Sequence, residues 1–522
     1  MTQTVTDIDP ETRAAAAATG TVVSLHAARR PDRPAIVSPH GSRTYAELDA
    51  GANRLARALQ DAGLVPGDAV ALVCRNRPEF AEVHQAAARS GLRLTPVNWH
   101  LTGGEMAYIV ADCDAKAIVA DATFADAVTD AVAGNDVLLV KLAVGGSIDG
   151  FTAYDDFVAD ADPGALERPV LGRSMLYTSG TTGRPKGVDR QPAPLGQSAL
   201  YQRIFSSAAR TPDDVELCTG PLYHAAPLSF SLATPLLYGM TVVLMDGWEP
   251  AETLRLIEEQ RVTHMHVVPT MFHRLLSLPD DVRARHDLSS LRFVLHGAAP
   301  CPVDVKRRTI EWLGPVIFEY YAATEGGGTF VDSNEWMARP GTVGKPVEPD
   351  LIRIYDDNGE SLPTGEVGTV YIKAAVSPFR YYKDEQKTKS AYRGDYFTLG
   401  DHGYLDDEGY LFLTGRIAEL IISGGVNIYP AEVDAVLLSH PAVGDVGTIG
   451  VPDEDWGERV VAVVELQPGQ AATPELAADL VEWCRGRLAH FKCPRTVEFV
   501  AELPRHDNGK LYRGRLREMF SG

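Results

Sequence analysis

The run Tyr177-Thr178-Ser179-Gly180-Thr181-Thr182-Gly183-Arg184-Pro185-Lys186-Gly187 gathers three glycines and four hydroxyl residues beside two cations. Backbone N–H groups freed by glycine, together with small hydroxyl donors, suit a loop that wraps phosphate oxygens. The run is not a Walker A loop. That motif needs Gly-Lys-Ser/Thr opening a helix, whereas Lys186 lies between Pro185 and Gly187. Farther along, Glu325, Asp401 and Lys510 are single charged residues, each inside a short Gly-, Thr- or Tyr-containing motif. A carboxylate can hold a hard cation or accept two hydrogen bonds. A lysine can neutralise charge that develops on a phosphate.

Such residues need a scaffold, and the first third of the chain alternates helical and strand patterns, which implies an α/β fold with a largely parallel sheet. Thr44-Tyr45-Ala46-Glu47 reads as a capping box opening a helix with Leu48, Ala52, Leu55 and Leu59 on one face. After the turn Val65-Pro66-Gly67-Asp68, the apolar run Ala69 to Cys74 reads as a buried strand. A looser stretch from Gly145 to Arg173 precedes a strand at Met175 to Tyr177, which feeds the glycine-rich loop. Further strands are expected at Val242 to Met245, His264 to Val268, Phe293 to His296 and Val367 to Lys373. The last hundred residues read as a small α+β unit. In it Thr473 caps a helix with Leu476, Leu480, Val481, Cys484 and Leu488 inward, flanked by strands Val460 to Leu466 and Thr496 to Val500.

The 522 residues carry a net charge of −21, with 45% hydrophobic and 23% charged residues. Bulk charge therefore excludes a nucleic-acid or anionic-membrane binder, while the composition is ordinary for globular domains. Cys74, Cys113, Cys218, Cys301, Cys484 and Cys493 form no CxxC pair and have no His at zinc-ligand spacing, so they read as reduced thiols. The acidic N-terminus MTQTVTDIDPETR does not read as an export signal, and a cytoplasmic protein is expected. Leu217 to Met245 lacks Asp, Glu, Lys and Arg over a length that could span a bilayer, but Pro221, Pro227, Pro235 and Gly239 interrupt it. It reads as a buried loop, helix and strand, not as a transmembrane segment. A homo-oligomer is left open.

Thr178 to Gly187 resembles the phosphate loop of the adenylate-forming superfamily, which includes acyl-CoA synthetases, luciferases and peptide-synthetase adenylation domains. Other motifs follow in that superfamily's order. Pro221-Leu222-Tyr223-His224 is similar to its fourth motif, and Tyr321-Ala322-Ala323-Thr324-Glu325 to its Tyr-Gly-x-Thr-Glu motif. Gly341 to Pro346, Leu399-Gly400-Asp401, Leu413-Thr414-Gly415-Arg416, Gly424 to Glu432 and Asn508-Gly509-Lys510 complete the series. The resemblance spans nearly the whole chain. It implies a large N-terminal domain of stacked α/β sheets (1–416) and a small mobile α+β C-terminal domain (417–522).

It also implies a reaction: a carboxylic acid attacks the α-phosphate of ATP to give an acyl-adenylate, and the thiol of coenzyme A then takes the acyl group. Under the resemblance Thr178, Ser179, Gly180, Thr181, Thr182, Gly183 and Lys186 hold phosphate. Gly297, Ala298 and Ala299 form the small-residue wall of the adenine slot, with Tyr320, Tyr321, Ala322 and Ala323 beside it and Tyr321 packed on the base. Thr324 bonds a phosphate oxygen and Glu325 holds Mg²⁺. Asp401 and Arg416 take the ribose. Lys510 bridges the carboxylate and the α-phosphate, although outside its motif it would read as a solvated tail lysine among Arg505, Arg513, Arg515 and Arg517. His224 lies between the acyl pocket and the thiol channel, and Gly424 and Gly425 shape the pantetheine tunnel once the small domain turns about a hinge after Arg416.

Two positions depart from the pattern. The hinge residue, usually Asp or Lys, is Ala418, and Ala322 replaces a glycine. Both are expected to be drift that the scaffold tolerates. The alternative they raise is an enzyme confined to thioesterification of a supplied acyl-adenylate, and the most distinct rival is a non-catalytic acyl- or nucleotide-binding scaffold. Pro221 to Pro227 and His296 to Pro302 resemble the branch of acyl-CoA ligases that handles fatty, bile-acid, steroid and terpenoid acids, the diterpenoid acids of platensimycin-type pathways included. The expected partners are a small hydrophobic carboxylic acid, ATP and CoA, with no nucleic acid.

Overall fold

The structure is a computed structural model that describes residues 8–178, 185–191, 199–348, 350–374, 378–416, 419–423, 426–453, 456–505 and 509–520. Apolar runs without polar alternation need strands covered on both faces. Ala69–Val73, Ala115–Asp121 and Val140–Val144 meet that need at the centre of a six-stranded sheet whose described pairings are all parallel. A second sheet has nine strands. Its middle, Phe293–His296, His264–Val267, Val215–Cys218 and Thr241–Leu244, is parallel, and Ile317–Ala323 continues it in parallel before Gly326–Asp332 returns antiparallel.

Helix Tyr45–Asp61 packs between the two sheets. Its capping box forms as expected: Glu47 N donates to Thr44 Oγ1 at 3.2 Å and Thr44 N to Glu47 Oε2 at 2.8 Å. Leu48, Leu55 and Leu59 are fully buried among Ile36, Val242 and Leu244 of one sheet and Val70, Leu72 and Val119 of the other. Each such side chain stabilises the fold by roughly 1.5–3 kcal/mol, so this layer fixes how the sheets stack.

The uncharged stretch from Leu217 to Met245 ends strand Val215–Cys218, forms a π-helix at Pro227–Ala233 and one α-turn at Thr234–Leu237, then enters strand Thr241–Leu244. No helix among the described residues is long and apolar enough to cross a membrane. Local boundaries shift by a residue or two; the strand expected at Met175 to Tyr177 runs Leu176–Thr178. The looser stretch before it hides a short helix, Tyr154–Val158, whose Tyr154 hydroxyl donates to buried Glu82 at 2.7 Å. Asp155 and Asp156 mask that helix in the sequence.

Beyond residue 420, strands Ile421–Ser423, Val426–Ile428, Val443–Asp453, Gly457–Leu466 and Thr496–Val500 form one sheet. Helix Pro474–Arg485 covers it, capped by Thr473 Oγ1, which accepts from Leu476 N at 3.2 Å. Leu480 and Cys484 are fully buried against that sheet. All six cysteines are free thiols.

Candidate active site

In open α/β sheets, ligands bind beyond the carboxyl ends of the parallel strands. Four such ends converge here. Thr219 to His224 follow strand Val215–Cys218, Val268 follows His264–Val267, Gly297 to Ala299 follow Phe293–His296, and Thr324 follows Ile317–Ala323. They border a cavity of about 640 Å³, within the range of small-molecule sites. Asn76 fixes one border: its amide donates to Gly220 O at 2.9 Å and Met245 O at 3.1 Å, and its Oδ1 accepts from Leu222 N at 3.0 Å. The π-helix supplies Leu228, Ser229 and Phe230 to the wall. Its Ser231 turns the other way and donates to Glu216 at 2.9 Å.

Of the residues singled out from the sequence, the wall takes His224, Ala298, Tyr320, Ala322, Ala323 and Thr324. Tyr320 bonds His266 Nε2 at 3.0 Å, and burial pushes His266 down to about 3, so this pair is neutral near pH 7. Gly297 faces the Tyr320 ring, which would lie 2.8 Å from any Cβ there. Ala298 holds φ at +68°, a conformation an alanine adopts only under strain, and such strain concentrates at functional sites. Behind this wall the Lys306 ammonium meets Glu319, both buried. The methyl of Ala322 is accommodated by its cross-strand partner: a Cβ on Gly327 would fall 2.6 Å from it.

Tyr321 and Asp401 meet directly, the phenol donating to Asp401 Oδ2 at 2.6 Å. Asp401 stands opposite Arg416 in the antiparallel pair of strands Tyr396–Leu405 and Leu411–Arg416. Glu325 is buried and accepts from the Tyr381 hydroxyl at 3.0 Å. The Tyr381 ring lies 5.9 Å from Lys186 Nζ and 5.4 Å from Lys387 Nζ, and Lys186 donates to Asp384 at 2.7 Å. Burial first, then the neighbouring Lys186 charge, hold Lys387 below its ordinary value. Two lysines and two carboxylates, Glu325 and Asp384, thus gather where strand Lys186–Asp189 pairs with Leu176–Thr178, Lys186 opposite Thr178. Glu325 fits a Mg²⁺ site of the kind in which one carboxylate works with phosphate oxygens. Among the described residues, no cluster of three or more His, Cys, Asp or Glu side chains stands ready as an all-protein metal cage.

Gly509, beside Lys510, packs on the large sheet's loop. Its φ is +75°, and a Cβ there would lie 2.5 Å from Thr270 Oγ1 and 2.8 Å from Val268 Cγ2. Arg505 braces the same loop, donating to Gly509 O at 2.7 Å and to Asp445 at 2.6 Å. A second tether joins the same faces, where His273 Nε2 bonds Gly444 O at 2.8 Å. The loop bearing Lys510 is thereby docked on Val268, which lines the cavity.

Gly297, Ala299, Tyr321, Glu325, Asp401, Thr178, Lys186 and Lys510 are not on the cavity wall. Ser179, Gly180, Thr181, Thr182, Gly183, Ala418, Gly424 and Gly425, and the side chain of Arg416, lie outside the described residues. Sequence reasoning missed Arg190, Tyr201, His266, Tyr381, Asp384 and Lys387. For Arg190 a signal existed, because the period of two along a strand aligns it with Lys186 and Val188. Tyr381 and Asp384 reach the site from nearly two hundred residues away, and nothing local marks them.

Residues 23–382 match the family model described as AMP-binding enzyme, and residues 432–510 match AMP-binding enzyme C-terminal domain. The chain is 34% identical over 500 residues to a feruloyl-CoA synthase of Amycolatopsis sp, covering 94% of this chain and 98% of that protein. It is 32% identical to the fatty acid–[acyl-carrier-protein] ligase ScoC of Streptomyces coeruleorubidus, covering 96% of each. Among solved structures, the anthranilate CoA ligase AuaEII in complex with anthranoyl-AMP superposes with a TM-score of 0.86 at 25% identity, covering 96% of both chains.

Proposed function

The chain belongs to the AMP-binding enzyme family, and from that membership we propose that it is an AMP-forming acid–thiol ligase that converts a hydrophobic carboxylic acid to its CoA thioester through an acyl-adenylate. One observation carries the reading: the cavity meets Thr324, next to the Glu325–Tyr381–Lys186 cluster, while the loop bearing Lys510 docks on its Val268 border. The chamber thus meets a corner where lysines and carboxylates stand together. The first step needs that meeting, since a carboxylate oxygen must bond the α-phosphorus as pyrophosphate leaves with the electron pair of the broken bond.

In this reading Lys186 and Lys387 neutralise phosphate, Thr324 donates to it, and Tyr381 orients the Glu325 carboxylate. Mg²⁺, held by Glu325, supplies further neutralisation of phosphate charge. Asp401, oriented by Tyr321, accepts from the ribose, with Arg416 opposite. Gly297, Ala298 and Tyr320 flank the adenine. Lys510 stabilises charge between carboxylate and α-phosphate, and His224 lies at the thiol side. Thiol sulfur then attacks the acyl carbon and AMP departs. The domains divide near residue 416, and the docking of Gly509 supports assigning this arrangement to the first step. Its cosubstrates suit a cytoplasmic enzyme.

The relatives give no support to a reading confined to the second step, and the Gly327 space opposite Ala322 removes one of its two grounds. The test is a pair of single-turnover assays with a panel of acids, polycyclic ones included. Pyrophosphate release is followed from acid plus ATP, and thioester formation from prepared acyl-adenylate plus CoA. Both are expected to proceed; loss of the first alone would overturn the two-step reading, and loss of both would overturn the ligase.

A further inference from the structure

Arg190 follows strand Lys186–Asp189 and lines the cavity. Among the described residues its guanidinium makes no hydrogen bond or ion pair, and its Nε is enclosed without a partner. Asp189, next in the chain, is already taken by Arg173 at 2.9 Å and Arg380 at 2.8 Å. The other charged side chains on the wall, Glu348 and Lys373, are exposed, whereas Arg190 is mostly enclosed, and burial pulls its guanidinium below its ordinary value. His84 and His266, pushed down by burial to about 4 and about 3, carry no charge near pH 7. Among the described residues of the wall, Arg190 is therefore the one mostly enclosed cation with no hydrogen-bonded or ion-paired partner, although Tyr201 and Glu325 offset part of the effect of burial.

A mostly enclosed cation without a paired acceptor is costly, and a ligand that brings a negative charge offsets that cost. Its position says which part of the ligand. A Cβ placed on Gly326 would lie 3.2 Å from Arg190 Nη2, and Gly326 directly follows Thr324 and Glu325. The guanidinium thus sits beside the Thr324–Glu325 end of the chamber, where the ligase reading puts the reaction. Lys186 and Lys387, to which the ligase reading assigns the phosphates, are grouped instead about the Tyr381 ring, whose hydroxyl donates to Glu325.

We propose that Arg190 binds the ionised carboxylate of the acid substrate, selecting the anion on entry and aiming one oxygen toward the α-phosphate. The proposal rests on the ligase reading and adds a residue to it. A guanidinium matches a carboxylate fork to fork, so the chamber admits a long or bulky apolar acid while rejecting its neutral amide.

The test uses the full chain, with decanoate, ferulate and anthranilate and their primary amides as probes, in the wild type and in Arg190→Met and Arg190→Lys. Wild type is expected to bind at least one carboxylate well ahead of its amide. Arg190→Met is expected to weaken carboxylate binding about 10- to 100-fold, the scale of a lost charge-assisted pair, while leaving amide binding and the KM for ATP unchanged. Arg190→Lys restores part of the preference. Because the substitution removes an unpaired enclosed charge, Arg190→Met is expected to melt no lower than wild type, which separates binding from a structural role. A wild type without carboxylate preference, a variant that keeps it, or a shift confined to the KM for ATP would each overturn the proposal. Failure of the ligase reading is seen separately, as absence of thioester from every acid tested with the wild type.

Discussion

Replacing Gly509 by alanine tests whether docking of the Lys510 loop on the large sheet serves adenylation alone. At φ +75° the new Cβ would stand 2.5 Å from Thr270 Oγ1 and 2.8 Å from Val268 Cγ2. Relief of two such contacts costs about 1–3 kcal/mol, the usual price of overpacking. The backbone strain of an alanine at positive φ, about 1 kcal/mol, is present whether or not the loop is docked, so it drops out of the docking equilibrium. At a factor of ten per 1.36 kcal/mol, the docked fraction and with it the adenylation rate should fall about 5- to 150-fold. Single-turnover pyrophosphate release from acid plus ATP measures that step. Thioester formation from prepared acyl-adenylate plus CoA should stay within about twofold, because that step does not call on Lys510. Thr270→Ala removes the nearer contact and should restore part of the loss, with Val268 still in the way. Equal loss in both half-reactions would mean that Gly509 serves folding. No loss in either would mean that the docked loop is irrelevant to catalysis, and the role given to Lys510 would fall with it.

Two further outcomes are expected. Gly327→Ala places a Cβ 2.4 Å from Leu200 Cδ2 and 2.6 Å from the Ala322 methyl, so it should destabilise by about 1–3 kcal/mol in urea titration. Adding Ala322→Gly should recover part of that loss, and independence of the two substitutions would refute the proposed fit between them. Buried Glu216 is raised by desolvation from its ordinary 4.5 to about 8, with Arg210 and Ser231 opposing the shift. A raised folded value means that its contribution is fully present below about pH 4.5 and lost as pH rises toward 8, a change on the order of a few kcal/mol by neutral pH. Glu216→Gln should therefore flatten the decline of urea stability between about pH 5 and about pH 8, and parallel pH profiles for variant and wild type would contradict the assignment.

Local physics made much of this protein legible before any fold was known. The capping box at Thr44 and Glu47, the strand Phe293–His296 and the helix opened by Thr473 depend on neighbours within a few residues, so spacing alone determines them. Glu325, Asp401 and Lys510 were singled out differently, by the resemblance of the ordered motifs to a known superfamily and not by local physics. What sequence left open is what depends on groups distant in the chain. Tyr381 reaches Glu325 across 56 residues, Asp384 reaches Lys186 across 198, and Gly509 closes on Thr270 across most of the C-terminal half. Arg190 shows the difference most sharply. Its residue type was visible, but only the packing of the sheets reveals that it is mostly enclosed, lines a cavity and has no hydrogen-bonded or ion-paired partner among the described residues. Ala322 makes the converse point: the sequence marks it as a departure from the motif, and its accommodation by a glycine across the strand is set by register in the tertiary structure and by nothing in the motif itself.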